Sequence, residues 1–281
     1  MYLQALHDSK VATESHTSLL LNCYSKLKDE DNINKLISQG GFDIESGIRI
    51  CRAAGYFKQA LVLAKASALH DWVVNILFED LNESTEVISY IAQLDPSSIE
   101  QTFKKYGAIL VEHLPKESTD ILVFLCTTEL QVYPENFIAF YVDSRNWCVE
   151  FLERVFSSRF SDASREYDSN FDVDKERISR SAICNTLFEL YLESYGDSSE
   201  IKGNVWEEKS LDLLKDYRNG IDFDYALILC KRHNLHSGIL YICETDSRYD
   251  SPSYSRYEEL LDYYHQRKEY EAVLEMCKKN E

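Results

Sequence analysis

The chain has 281 residues, enough for a large buried core or an extended repeat array, and its 9 glycines and 4 prolines fall well below the usual combined share of about 12%. So few chain breakers leave little room for tight turns and argue against a β-sandwich or barrel. A net charge of −18 from 48 acidic and 30 basic residues argues against binding nucleic acid or anionic lipid headgroups, and the pairs Lys104-Lys105 and Lys278-Lys279 do not reverse it.

Taken in order, residues 2–8, 15–28 and 31–38 carry short helical patterns, and Gly40-Gly41 interrupts them. Ile44 to Ala53 is predicted helical, with Gly55 placed to take the left-handed conformation after its end. Phe57 to Ala66, Leu69 to Glu79 and Ser84 to Gln93 follow, the last ended by Asp95-Pro96. Asn82-Glu83-Ser84 matches a glycosylation acceptor but reads as a helix start. Ser97-Ser98-Ile99-Glu100 has capping-box spacing and opens a helix to about Glu112, closed by Leu114-Pro115. Thr119 to Thr127, Glu135 to Val142 after Pro134, and Trp147 to Phe156 continue the series.

Residues 157–176 are rich in Ser, Asp and Arg without a period, and read as a surface loop or disordered insertion. Ile178 to Tyr195 is predicted helical, Gly196 to Asn204 a second loop. Glu207 to Lys215, Phe223 to His233 and Ser237 to Glu244 are predicted helices. Thr245 to Ser255 reads as a loop, and Tyr257 to Gln266 with Glu269 to Lys279 as a last helix pair.

One phrase recurs. An aromatic precedes an alanine, apolar residues follow, and a small or soft residue comes four or five places on. The copies are Phe57, Ala60, Leu61, Leu63 and Ala64; then Phe223, Ala226, Leu227, Leu229 and Cys230; and, more weakly, Tyr270, Ala272 and Leu274. Residues four apart share a helix face, and small ones let a neighbouring helix approach closely. Helical hairpins of this kind bury their apolar faces only by stacking. These residues are therefore the expected repeat core. The fold class is all-α, an irregular α-solenoid of stacked helical hairpins. It is read as a first part over 1–156, the polar insertion over 157–176, and a second part over 177–281. The uneven spacing of the copies and the missing Trp/Gly/Tyr phrase separate it from tetratricopeptide repeats.

No catalytic signature is present: no phosphate loop, nucleotide-binding glycine motif, nucleophile elbow or His-Glu-x-x-His. Asp222-Phe223-Asp224 is the nearest approach to a magnesium cluster and reads better as N-capping. Cys230, His233, His236 and Cys243 could suggest zinc, but Cys230 occupies the repeat's small core position and the histidines lie in the following turn. Trp72, Trp147 and Trp206 read as packing anchors. The expectation is no catalytic residue, no metal and no cofactor. The 8 cysteines contain no Cys-x-x-Cys and read as reduced thiols acting as small hydrophobes. The opening Met1-Tyr2-Leu3-Gln4 runs straight into an amphipathic pattern rather than a signal peptide, and no apolar run is long enough to span a bilayer.

The phrase from His16 to Asp29 resembles the vacuolar protein sorting-associated protein 11 family. So do Tyr2 to His7, Phe42 to Glu45, Ile48 to Tyr56, Ala60 to Lys65 and Lys105-Tyr106-Gly107. Ala226 to Asn234 and Gly238 to Tyr241 are similar again. The resemblance is strongest at 2–65 and 225–241 and weakest in 157–176. It implies a clathrin-heavy-chain-like α-solenoid segment of a core class C subunit of the HOPS and CORVET complexes, which tether endosomes and vacuoles or lysosomes before fusion. Other class C subunits are the implied partners. The implied location is the cytosolic face of endosomal and vacuolar or lysosomal membranes. The family's β-propeller and zinc-binding RING have no counterpart pattern here, so zinc and ubiquitin-ligase activity do not carry over. The rival readings are a clathrin-like coat or other helical-repeat adaptor and, more remotely, an all-α metal-dependent enzyme.

Overall fold

The computed structural model describes residues 2–129, 131–160, 172–196, 200–217, 220–246 and 264–265. Among them the regular structure is helical throughout. The helices form an α-solenoid of stacked hairpins whose contacts divide into two compact units, Met1–Val132 with Ala139–Ser144, and Tyr133–Ile138 with Arg145–Glu281.

The first unit contains α1 (Tyr2–Asp8), α2 (Glu14–Leu27), α3 (Glu30–Gln39), α4 (Ile44–Ala53), α5 (Phe57–Ala66), α6 (His70–Asn75), α7 (Ser84–Ile91), α8 (Pro96–His113) and α9 (Pro115–Thr128). Helix α1 packs on α2, α2 on α3 and α4, α3 and α4 on α5, α5 on α6, α6 and α7 on α8, and α8 on α9. Contact with the next helix and the next but one is how stacked hairpins share one core.

Local chemistry sets the ends. Asp29, Asp43 and Asp95 cap α3, α4 and α8 by accepting the backbone N–H groups of Asn32, Ser46 and Ser98. The expected capping box at Ser97–Glu100 is thereby corrected. Asp95 is the cap and Pro96 the first helical residue, because proline there gives up only an N–H that the first turn leaves unpaired. Glu100 pairs instead with Lys104 at 2.6 Å. Gly55 has φ +84°, and the Tyr56 N–H returns to the Cys51 carbonyl at 2.8 Å, closing α4 as expected.

Two α-helices continue into π turns, α6 into Ile76–Asp80 and, in the second unit, α10 (Arg145–Val155) into Phe156–Phe160. The predicted α-helix over Glu135 to Val142 is instead a 3-10 helix, Pro134–Tyr141. Its three-residue turn aligns Pro134, Phe137 and Phe140 on one side.

The second unit continues with α11 (Val173–Gly196), α12 (Glu200–Asp216), α13 (Phe223–His233) and α14 (His236–Asp246). Again α11 packs on both α12 and α13, and α12 on α14. The polar loop expected over 157–176 is corrected at both described ends. Helical structure reaches Phe160 and resumes at Val173, because Arg159 is a buried partner of Glu176 rather than a solvated charge. The loop expected over Gly196 to Asn204 is likewise shortened, since α12 starts at Glu200. The expected loop from Thr245 and the last helix pair lie almost wholly outside the described residues.

Candidate functional site

The recurring phrase lies at the hairpin seams. Ala60, Leu63 and Ala64 are buried in α5. They occupy positions i, i+3 and i+4, one stripe of the helix. Leu61, expected in the core, is only half-buried, because it sits about 100° around the helix from Ala60. In α13 the stripe is wider. Ala226, Leu227, Leu229 and Cys230 are all buried, where α13 packs on α11 and α14. The leading aromatics Phe57 and Phe223 are half-buried at their helix starts. Tyr270, Ala272 and Leu274 lie outside the described residues.

The small positions do allow close approach. A Cβ added to Gly238 of α14 would sit 2.7 Å from the Cys230 Sγ of α13. A Cβ on Gly107 of α8 would come within 2.5 Å of the Phe140 ring. Such contacts do not occur between real atoms without displacement, so these glycines mark where neighbouring groups meet backbone directly.

Polar ties cross the seams. In the first unit the Arg52 guanidinium of α4 donates to Asp80 at 2.5 Å and Glu79 at 2.9 Å, both on the π turn, and lies 5.6 Å from the Trp72 ring centroid. These carboxylates raise the Arg52 pKa further, the Asp80 hydrogen bond most of all. In the second unit Glu153 of α10 accepts from Tyr191 of α11 at 2.8 Å and from Lys209 of α12 at 2.6 Å. The Lys209 ammonium lies 5.1 Å from the Trp206 ring and 5.6 Å from the Tyr191 ring. Burial, reinforced by Glu153, pushes the Tyr191 phenol up, so it stays a neutral donor. Trp72 and Trp206 are thus packed beneath cations.

The groups that could suggest chemistry have structural partners. Asp222 caps α13 by accepting from the Asp224 and Tyr225 N–H groups at 3.0 and 3.3 Å. Among the described residues, no three His, Cys, Asp or Glu side chains gather as a metal site. Burial pushes the Cys230 thiol up to about 12 and the Cys184 thiol to about 12, which suits packing and not nucleophilic attack. No helix among the described residues is long and apolar enough to cross a membrane.

Outward surfaces carry the remaining features. The sequence patterning did not single out a groove between α2 and α4, of about 530 Å³, lined by Leu19, Ile50, Glu14 and Asp43 among others. Leu19 falls in an apolar run that reads as core, and only the packing shows half of its surface exposed.

The family model for the PEP5/VPS11 clathrin repeat matches residues 1–281. The chain belongs to the PEP5/VPS11 clathrin-repeat family. Among curated relatives, the vacuolar protein sorting-associated protein 11 homolog of Dictyostelium discoideum is 30% identical over 99% of this chain and 33% of its own length. The Arabidopsis thaliana homolog is 32% identical over 99% of this chain and 34% of its own. The Homo sapiens homolog is 31% identical over 99% and 29%. The chain therefore spans about a third of the length of the curated relatives it matches.

Proposed function

We propose that this chain is a scaffold segment of a vacuolar protein sorting subunit. It would act in a membrane-tethering complex of the HOPS and CORVET kind, at the cytosolic face of endosomal and vacuolar or lysosomal membranes. Its part in tethering and fusion is mechanical. Stacked hairpins with a shared core hold docking surfaces at fixed spacing, and other class C subunits dock on them. The observation that carries this reading is the PEP5/VPS11 repeat match along all 281 residues. The structure supports it physically: the seams place functional-looking groups in packing, capping and ion-pair roles, which suits a non-enzymatic scaffold.

The experiment is a pull-down of the purified chain against separate sister class C subunits at physiological salt. Saturable binding to one of them, competed by the full-length protein, is the expected result. Failure to bind any of them, from a chain with full helicity, would show that this stretch is a spacer and that docking lies elsewhere in the protein.

A further inference from the structure

We propose that the groove between α2 and α4 is a docking site for a basic amphipathic helix of a partner chain. Leucine- or isoleucine-type side chains of that helix would seat between Leu19 and Ile50, and its lysines or arginines would face Glu14 and Asp43. This rests on the reading of the chain as a docking scaffold and names one surface of it.

The shape comes from two helices already fixed by their own chemistry. Helix α2 is held through Thr17, Leu20, Leu21 and Ser25 on its buried side, which turns Leu19 and Asn22 outward. Helix α4 is held through Gly47, Ile48 and Cys51, which leaves Asp43 and Ile50 facing the same hollow. Leu19 is 50% exposed although the next two residues, Leu20 and Leu21, are buried. At about 530 Å³ the hollow lies within the range of specific binding clefts, and its two apolar residues, Leu19 and Ile50, sit among serine, asparagine and charged side chains, so an occupant needs both apolar and polar faces, as an amphipathic helix has.

Charge selects the occupant. Glu14 lies in the first turn of α2 and Asp43 caps α4. Hydrogen bonds from the Ser46 hydroxyl and then its backbone N–H hold the Asp43 carboxyl below the usual carboxylate range, so it is anionic at neutral pH. The one cation of the rim, Arg49, is engaged with Glu45 at 3.3 Å. The two helix ends offset about half a charge each, which leaves the rim negative on a chain already at −18. An acidic helix would meet repulsion there and a neutral one would gain no attraction; a basic one is attracted and steered.

The test uses the full chain and a fluorescein-labelled 20-residue peptide of leucine and lysine at helical spacing, read by fluorescence anisotropy over a range of salt. A peptide with glutamate in place of lysine is the control. Leu19→Arg and Val62→Arg change the net charge equally, and Val62 is an exposed residue of α5 outside the groove. Leu19→Arg is expected to weaken binding at least about tenfold, with Val62→Arg changing it by less than about twofold. Glu14→Gln with Asp43→Asn should flatten the salt dependence while keeping both helix starts, since asparagine caps as well as aspartate. Leu19→Ser provides a second groove variant should the arginine disturb folding.

Equal losses from Leu19→Arg and Val62→Arg would overturn the proposal by showing only non-specific attraction, and equal binding of the glutamate peptide would overturn the choice of a basic occupant. A concentration-dependent dimer in sedimentation, abolished by Leu19→Arg, would assign the groove to a second copy of this chain. Should a sister subunit bind wild type and Leu19→Arg equally well, this groove is not its dock and the scaffold reading still stands. If no sister subunit binds wild type, the scaffold reading itself has failed.

Discussion

The pair Arg159–Glu176 offers the sharpest test of how the second unit is held. Arg159 is 1% exposed and Glu176 5%. The guanidinium donates from Nε to Oε1 at 2.8 Å and from Nη2 to Oε2 at 2.6 Å, a bidentate geometry. The same guanidinium lies 5.7 Å from the Tyr133 ring and 5.5 Å from the Phe160 ring. Glu176→Ala removes both charge-assisted hydrogen bonds of this bidentate pair from a buried guanidinium, and breaking a buried pair in this way costs about 3–5 kcal/mol. The two aromatic faces retain part of the cation's stabilisation, so the low end, about 3 kcal/mol, is expected. Replacing both residues, Arg159→Met with Glu176→Leu, removes the buried charge as well as its partner and should return much of the loss. The assay is native-state hydrogen exchange of the α11 amides, which reads this unit separately from the first. The pair is buried, so the cost should be nearly the same in low and high salt, unlike that of the exposed Arg49–Glu45 pair. A Glu176→Ala effect below about 0.5 kcal/mol, or one that vanishes at high salt, would refute the claim that the charge is enclosed.

Leu63→Ala, at a buried seam position of α5, should cost about 2–5 kcal/mol, whereas Leu61→Ala, half-buried, should cost clearly less; urea unfolding of the two variants checks the assignment. Asp43 and Asp95 have carboxyl pKa values lowered chiefly by the Ser46 and Ser98 hydrogen bonds. A depressed folded value stabilises above the ordinary carboxylate pKa of about 4, and that contribution disappears as pH falls through the folded value. The variant Asp43→Asn with Asp95→Asn keeps both caps and should lose less thermal stability than wild type between pH 7 and pH 3. An identical pH dependence in the two proteins would remove these caps from the account.

Local signals fix the ends of several helices, whereas burial and pairing depend on distant residues. Ile44–Ala53, Phe57–Ala66 and Phe223–His233 have the predicted boundaries because strong apolar periods, an aspartate cap or a glycine after the end act within one turn. The loop expected over 157–176 is narrower in the structure because its charged residues look solvated in sequence until Glu176 is placed beside Arg159. Likewise Leu61 and Leu227 occupy equivalent places after an alanine, yet one is half-buried and the other buried. Which side of each helix its neighbours cover decides that, and no local pattern records it.

The sequence by itself determined the all-helical class and the membership of a clathrin-repeat family, because helix propensity, periodicity and repetition are written residue by residue. Only the tertiary structure decided which face each helix buries, that Arg159 is enclosed, that two helices run on into π turns, and that Leu19 opens onto a groove. Burial and charge pairing depend on residues far apart along the chain, and their distances exist only once the hairpins have stacked.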